Sequence, residues 1–164
     1  MRGGAAGGVS AGRAVFRVSA RADVEAKTLR LAVAPDIDAL IRIRGAVREN
    51  RLSDPSSVTR SDYDWFVEGR RVWLGEVGGQ IAGFSAGDPR DGTIWALFVD
   101  PAFEGLGLGV ELLAKACADL KADGYSRITL FTDPGTKASR LYQRLGWQEQ
   151  GISAEGEMGF TLDL

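Results

Sequence analysis

From Leu29 onward the hydrophobic period changes repeatedly along the chain. Leu29, Leu31 and Val33 alternate with Arg30 and Ala32, the two-residue period of a half-buried strand. Pro35-Asp36 then opens a stretch in which Ile37, Leu40, Ile41 and Ala46-Val47 recur at helical spacing. Ser53-Asp54-Pro55 breaks that helix, and Thr59-Arg60-Ser61-Asp62 offers N-cap chemistry for a shorter one that carries Tyr63, Phe66 and Val67 and ends near Gly69. Residues 71–77 and 80–86 are strand-like runs joined at Gly78-Gly79, the dipeptide of a tight hairpin. Thr93–Val99 follows the turn Asp88-Pro89-Arg90-Asp91-Gly92 as the third strand of an antiparallel meander.

Further on, Leu112, Leu113, Ala116, Cys117 and Leu120 share one face of a helix over 108–123, which Gly124 stops. A short buried strand over 128–131 precedes a helix over 137–145 with Ala138, Leu141, Tyr142 and Leu145 on one face and Gly146 at its end. Strands over 147–150 and 158–162, across a Glu/Gly-rich connection, complete the order. The first 22 residues differ in kind: five glycines, four arginines, no acid and no apolar period. They read as a disordered or loosely attached extension over 1–26, outside a single domain over 27–164, although an Arg-rich, acid-free start is also the character of a transit peptide.

Composition narrows the chemistry. At 164 residues with 45% hydrophobic content, one ordinary domain is expected. A net charge of -2 and a pI near 5.3 leave no basic field for nucleic acid or an anionic membrane. No apolar run approaches the roughly 20 residues that cross a bilayer. The absence of His, with Cys117 as the lone cysteine, removes most machinery for His-based proton shuttling, nucleophilic hydrolysis and metal binding, so no metal is expected. A lone thiol forms no intrachain disulfide, which fits a cytoplasmic location.

Chemistry concentrates in one loop. Residues 97–110 run off a buried strand, through Asp100-Pro101, into an alternating-glycine segment that opens the long helix. A helix N-terminus presents unsatisfied N–H groups and the positive end of the helix dipole, and glycines admit a pyrophosphate to the backbone. With glycines at 105, 107 and 109 and Val110 at the third fingerprint position, the spacing is not that of a dinucleotide site, and no Gly-Lys-Ser/Thr completes a P-loop.

Val99-Asp100-Pro101 followed by Glu104-Gly105-Leu106-Gly107-Leu108-Gly109, with Gly135-Thr136-Lys137-Ala138 and Leu141-Tyr142 before Gly146-Trp147 downstream, resembles the two motifs of the GCN5-related N-acetyltransferases. The resemblance implies an α/β (α+β) fold, with a mixed, mostly antiparallel sheet of about six to seven strands and about four helices. It implies acetyl-CoA as co-substrate and direct acetyl transfer to a primary amine of a small molecule or peptide through a ternary complex. It also implies Leu97, Phe98 and Val99 along the pantetheine arm, with Leu97 and Phe98 meeting the thioester oxygen near a strand bulge. Residues Glu104, Gly105, Leu106, Gly107, Leu108, Gly109 and Val110 would surround the pyrophosphate, Ala138 would touch the cofactor, and Tyr142 would be the general acid. Glu104 replaces the usual Gln or Arg, and Gly135 a frequent Asn. Thr93 stands where many relatives carry a Glu, so the base is unassigned, with Glu76, Glu49 and Asp133 as candidates. Those departures keep a second reading open, a non-catalytic acyl-CoA-binding or sensor module. Residues 48–51, Arg-Glu-Asn-Arg, are placed where an acceptor would be read, and a homodimer is left open.

Overall fold

Arg30 sets the entry to the domain. Its guanidinium donates to both carboxylate oxygens of Asp36, at 2.9 and 3.0 Å, and through Nε to Glu76 at 3.2 Å. Asp36 also accepts from the Val33 N–H at 2.8 Å, and Arg30 beside it holds its carboxyl below the ordinary carboxylate range. The computed structural model describes residues 26–47 and 57–164. In it, β1 (Thr28–Leu31) leads through a 3₁₀ turn at Ala34–Asp36 into α1 (Ile37–Ala46), and α2 (Arg60–Glu68) precedes the meander β2 (Val72–Val77), β3 (Gln80–Asp88) and β4 (Thr93–Val99). After a second 3₁₀ turn come α3 (Leu108–Ala122), β5 (Arg127–Thr132), α4 (Lys137–Arg144), β6 (Gln148–Ile152) and β7 (Met158–Asp163).

The strands form one seven-stranded sheet in the order β1-β2-β3-β4-β5-β7-β6. β4 and β5 are parallel, and the other neighbours are antiparallel. This is the mixed, mostly antiparallel fold expected from the sequence, with four α-helices among the described residues. Two details differ. The first strand stops at Leu31, because Val33 is drawn into the turn that Asp36 caps. In α1, Ile41 points outward at 40% exposure, and Ile43 joins Ile37 and Leu40 in the core.

The helices cover both faces of the sheet. α1 and α2 bury Ile37, Leu40, Ile43, Tyr63 and Phe66 against Leu74, Phe84 and Phe98. On the opposite face Leu113 and Leu120 of α3 and Tyr142 of α4 pack with Ile128, Leu130 and Phe160. α3 lies close because glycines floor its contact. A Cβ on Gly75 would sit 2.4 Å from Leu108, one on Gly87 2.7 Å from Leu120, and one on Gly83 3.2 Å from Leu112 and 2.7 Å from the Phe98 carbonyl oxygen. Strand glycines at such positions mark a close approach of another element.

Gly83→Ala therefore tests the packing, since the atom it meets first is backbone and cannot rotate away. It should lower stability by about 1–3 kcal/mol in chemical denaturation. Gly45→Ala, on α1 with nothing within 4 Å of the new methyl, is the control and should be neutral or stabilising by up to about 1 kcal/mol.

Candidate active site

β4 and β5 share a single bridge, Thr93 to Thr129, and then part. β4 keeps its ladder with β3, and β5 keeps its ladder with β7, so the opening lies within the sheet itself. A cavity of about 360 Å³ occupies it. Its walls come from β4 (Thr93 to Phe98) and the end of β5 (Leu130 to Thr132), with Arg44 from the α1 layer, Tyr142 from the α4 layer, Asp91 and Glu157. Side chains from opposite faces of the sheet thus reach one space.

Register shapes the β4 wall. Ala86 faces Ala96 and Gly87 faces Ile94, so Trp95 is the extra residue of a bulge. The bulge expected near Leu97 and Phe98 thus falls at Trp95. Trp95 joins Ala96 and Phe98 in the α1–α2 core, where it stacks on Phe66 at 4.0 Å and meets Tyr63 edge-on at 5.4 Å. Leu97 and Val99 pack on the α3 side.

Tyr142 is 5% exposed and held between Trp147 and Phe160, with ring centroids at 5.8 and 5.6 Å. Burial, and secondarily the nearby Cys117, pushes the phenol well above its ordinary pKa, so it keeps its proton at neutral pH. Its hydroxyl donates to no described residue yet is not sealed from the cavity it lines. Cys117 is half-buried on α3, and desolvation lifts its thiol to about 11, which makes it a poor nucleophile.

The base candidates separate in space. Glu76 sits on β2, ion-paired to Arg30, and does not line the cavity. Glu49 and the rest of 48–51 lie outside the described residues. Asp133 is half-buried directly after the cavity residue Thr132 and is itself partnered. Thr93 lines the cavity, but its N–H and Oγ1 donate to Asp91 at 3.1 and 2.8 Å. Glu157, in the β6–β7 loop, was not singled out from sequence. Ser153 and Glu157 tie that loop through backbone hydrogen bonding at 2.7 Å. Glu157 lines the cavity, and its carboxylate has no ion pair with any described residue. Desolvation, then the charges of Asp133 and Glu155, raise its pKa.

At the other end of β4 the glycine loop enters α3. Gly105 and Gly107 adopt left-handed backbone at φ 82° and 77°. The N–H groups from Gly105 to Val110 hydrogen-bond no described residue. Space above Gly105 is open, and the nearest atom to a Cβ on Gly107 is Lys27 Nζ at 3.9 Å. Lys27 donates to the Leu106 carbonyl at 2.8 Å and pairs with Glu111. Leu108 is buried on Gly75 and anchors the loop, whereas Glu104 is exposed and faces Lys137 at 3.4 Å. Ala138 packs beside Tyr142 in the α4 layer. N–H groups at a helix start that bond no described residue, with open space over Gly105, fit the pyrophosphate of acetyl-CoA. Among the described residues no cluster of His, Cys, Asp and Glu is suited to a metal, and no helix is long and apolar enough to span a membrane.

Residues 37–147, more than half the chain, match the model of the acetyltransferase (GNAT) family. The chain belongs to that family. This GNAT chain is 32% identical over 109 residues to mycothiol acetyltransferase of Salinispora tropica, a match covering 61% of the chain and 36% of the relative. It is 32% identical over 83 residues to chloroplastic serotonin N-acetyltransferase 2 of Oryza sativa, covering 46% and 40% of the two. The matches span about a third of the length of the curated relatives. Solved structures share the GNAT fold at greater sequence distance. An N-acetyltransferase of Staphylococcus aureus superposes with a TM-score of 0.70 at 19% identity, over 84% of this chain and 98% of that one. YncA of Salmonella typhimurium, solved with its cofactor acetyl-CoA, does so at 0.70 and 20%, over 84% and 94%.

Arg44, Trp95, Asp91, Thr132 and Glu157 are among the cavity residues that the motifs do not indicate. One had a signal in the sequence: Arg44 lies four residues after Leu40, a charge on the stripe that faces the core.

Gly109 gives a clean test of the loop. Its backbone is not left-handed, and an added Cβ meets Val99 only at 3.6 Å, so Gly109→Val should fold. By calorimetry its coenzyme A affinity should fall at least about tenfold, a loss of about 1.4 kcal/mol, with little change in melting temperature.

Proposed function

We propose that this chain transfers the acetyl group of acetyl-CoA directly to a primary amine of a small molecule or peptide within a ternary complex. One observation carries the reading: the parting of β4 from β5 opens a cavity where a buried, protonated Tyr142 and a Glu157 that forms no ion pair with the described residues line the same space. Family membership supports it, as do the free N–H groups from Gly105 to Val110. A sensor module would have no use for an acid and a base lining one space.

Acetyl-CoA supplies an acetyl group already activated as a thioester. The loop from Glu104 to Val110 would hold its diphosphate through backbone N–H, and Leu97, Phe98 and Val99 would run beside the arm. The Leu97 N–H, on the edge that β5 leaves open, would be directed at the acyl oxygen, because the Phe98 N–H is turned to β3. Glu157, directly or through water, accepts the proton that the amine must shed to attack the acyl carbon. Desolvation favours this role, because a carboxylate of raised pKa is a stronger base. As the carbon–sulfur bond breaks, Tyr142 donates its proton to the leaving sulfur. Its raised pKa guarantees the O–H form wherever the amine is neutral enough to react. Lysine pairing and solvent exposure turn the Glu104 charge away from the loop, so its backbone can still serve.

Tyr142→Phe keeps the ring between Trp147 and Phe160 and removes only the hydroxyl. Turnover at saturating acetyl-CoA, followed as free thiol, should drop by about 10²–10⁴ while coenzyme A affinity changes little. Full activity in the folded Phe variant would take Tyr142 out of the mechanism.

Glu157→Gln should remove the base and, with it, the acid limb of the kcat/KM profile. In the parent that limb lies above the ordinary Glu pKa, because activity is lost as pH falls through a raised value. Stability runs the other way. A raised folded-state pKa favours the protonated form, so the stability it confers is full below the unfolded value and lost as pH rises past the folded one. At neutral pH the Gln variant should therefore melt no lower than the parent, and a fall in melting temperature would show that the carboxylate is structural.

A further inference from the structure

Arg44 stands out among the described arginines by having two guanidinium nitrogens buried without a partner. Arg30, Arg60, Arg71, Arg90 and Arg127 are each paired with a carboxylate. The Arg44 guanidinium pairs with none of the described residues, and its Nε and Nη1 are buried without a hydrogen-bond partner. It lies over the faces of Trp95 and Phe98, with Cζ 5.3 and 4.7 Å from the ring centroids, and it lines the cavity between β4 and β5.

Ring faces attract the cation and fix its plane, but they supply no acceptor for N–H groups that project from its edge. A buried, charged donor without an acceptor is costly, and folded proteins keep such groups where something else completes them. Simple covering of the helix end does not explain the geometry, since a residue serving only the C-terminal dipole of α1 would stay hydrated. The bulge at Trp95 builds the platform under Arg44, so the arrangement belongs to the cavity wall.

We propose that Arg44 receives the carboxylate of the acceptor, and that the acceptor is a small zwitterionic amine of the amino-acid type. This rests on the acetyl-transfer reading above and specifies its substrate class. Each edge of the planar guanidinium that grips a carboxylate bidentately includes Nη2, the nitrogen that is not sealed, so an acceptor carboxylate would bridge Nη2 and one of the two orphaned nitrogens. Asp91 and Glu157 line the same cavity and favour an amine at the other end of the molecule, whereas a doubly charged phosphate would meet two carboxylates for one guanidinium. At about 360 Å³ the space stands near the low end of small-molecule sites, which run from about 300 to 1,000 Å³. Arg44 is thus a specificity residue, acting on the acceptor and not on the acyl group.

The test compares the twenty common amino acids with their carboxamides as acceptors, in parent, Arg44→Lys and Arg44→Met proteins, by thiol release from acetyl-CoA. The parent should prefer acids over amides at least about tenfold in kcat/KM, the size expected of a charge-assisted hydrogen bond. Arg44→Met should abolish that preference, chiefly through KM of the acid, and Arg44→Lys should restore part of it. Melting temperature and coenzyme A affinity establish that the variants fold. Equal use of acids and amides by the parent, or an unaltered preference in folded Arg44→Met, would overturn the inference while leaving acetyl transfer standing. Failure of acetyl-CoA to bind would overturn the acetyl-transfer reading instead. If coenzyme A binds but turnover is absent, the thermal shift of coenzyme-A-saturated protein decides: stabilisation by amino acids over amides that vanishes in Arg44→Met supports the inference, and its absence overturns it.

Discussion

Two parallel strands that separate after one bridge leave facing backbone groups without a ladder, and the rest of the site follows from that separation. A sheet interior normally pairs every N–H and C=O. Here β4 is secured on its outer edge by β3 and β5 by β7, so the inner edges can remain apart without unravelling the sheet. The opening is held by its neighbours, and an extended arm with amide groups is the natural complement to strand edges of this kind.

What holds β4 in position is packing on both faces. Leu97 and Val99 meet the α3 layer, which the glycines of β2 and β3 allow to settle close, while Trp95, Ala96 and Phe98 meet α1 and α2. The bulge places Trp95 and Ala96 on the same side and sets an aromatic floor beneath Arg44. Polarity is then divided by layer. A neutral hydroxyl approaches from α4, a cation from α1 and a carboxylate from the β6–β7 loop, each on an element whose main role is structural. The glycine loop, by contrast, presents the N–H groups of a helix start, which hydrogen-bond no described residue, and its neighbour Lys27 is occupied with Leu106 and Glu111.

Periodicity and motif spacing carried much of this. Local hydrogen bonding and side-chain period are properties of short stretches, so the order of strands and helices, the meander joined at Gly78-Gly79, the glycine loop opening α3 and the placement of Tyr142 on a helix were all legible along the chain. Tertiary structure decided what depends on residues far apart meeting. It ended β1 early through the Arg30–Asp36 pair, turned Ile41 outward, moved the bulge to Trp95 and drew Glu76 into an ion pair away from the cavity. It also brought Glu157 and Arg44 to one space from segments more than a hundred residues apart. No local period marks a loop carboxylate such as Glu157. A charge on an apolar stripe, such as Arg44, shows only that something must meet it. What meets it is fixed by the packing of two helical layers across a divided sheet, because burial and partnership are properties of the assembled fold.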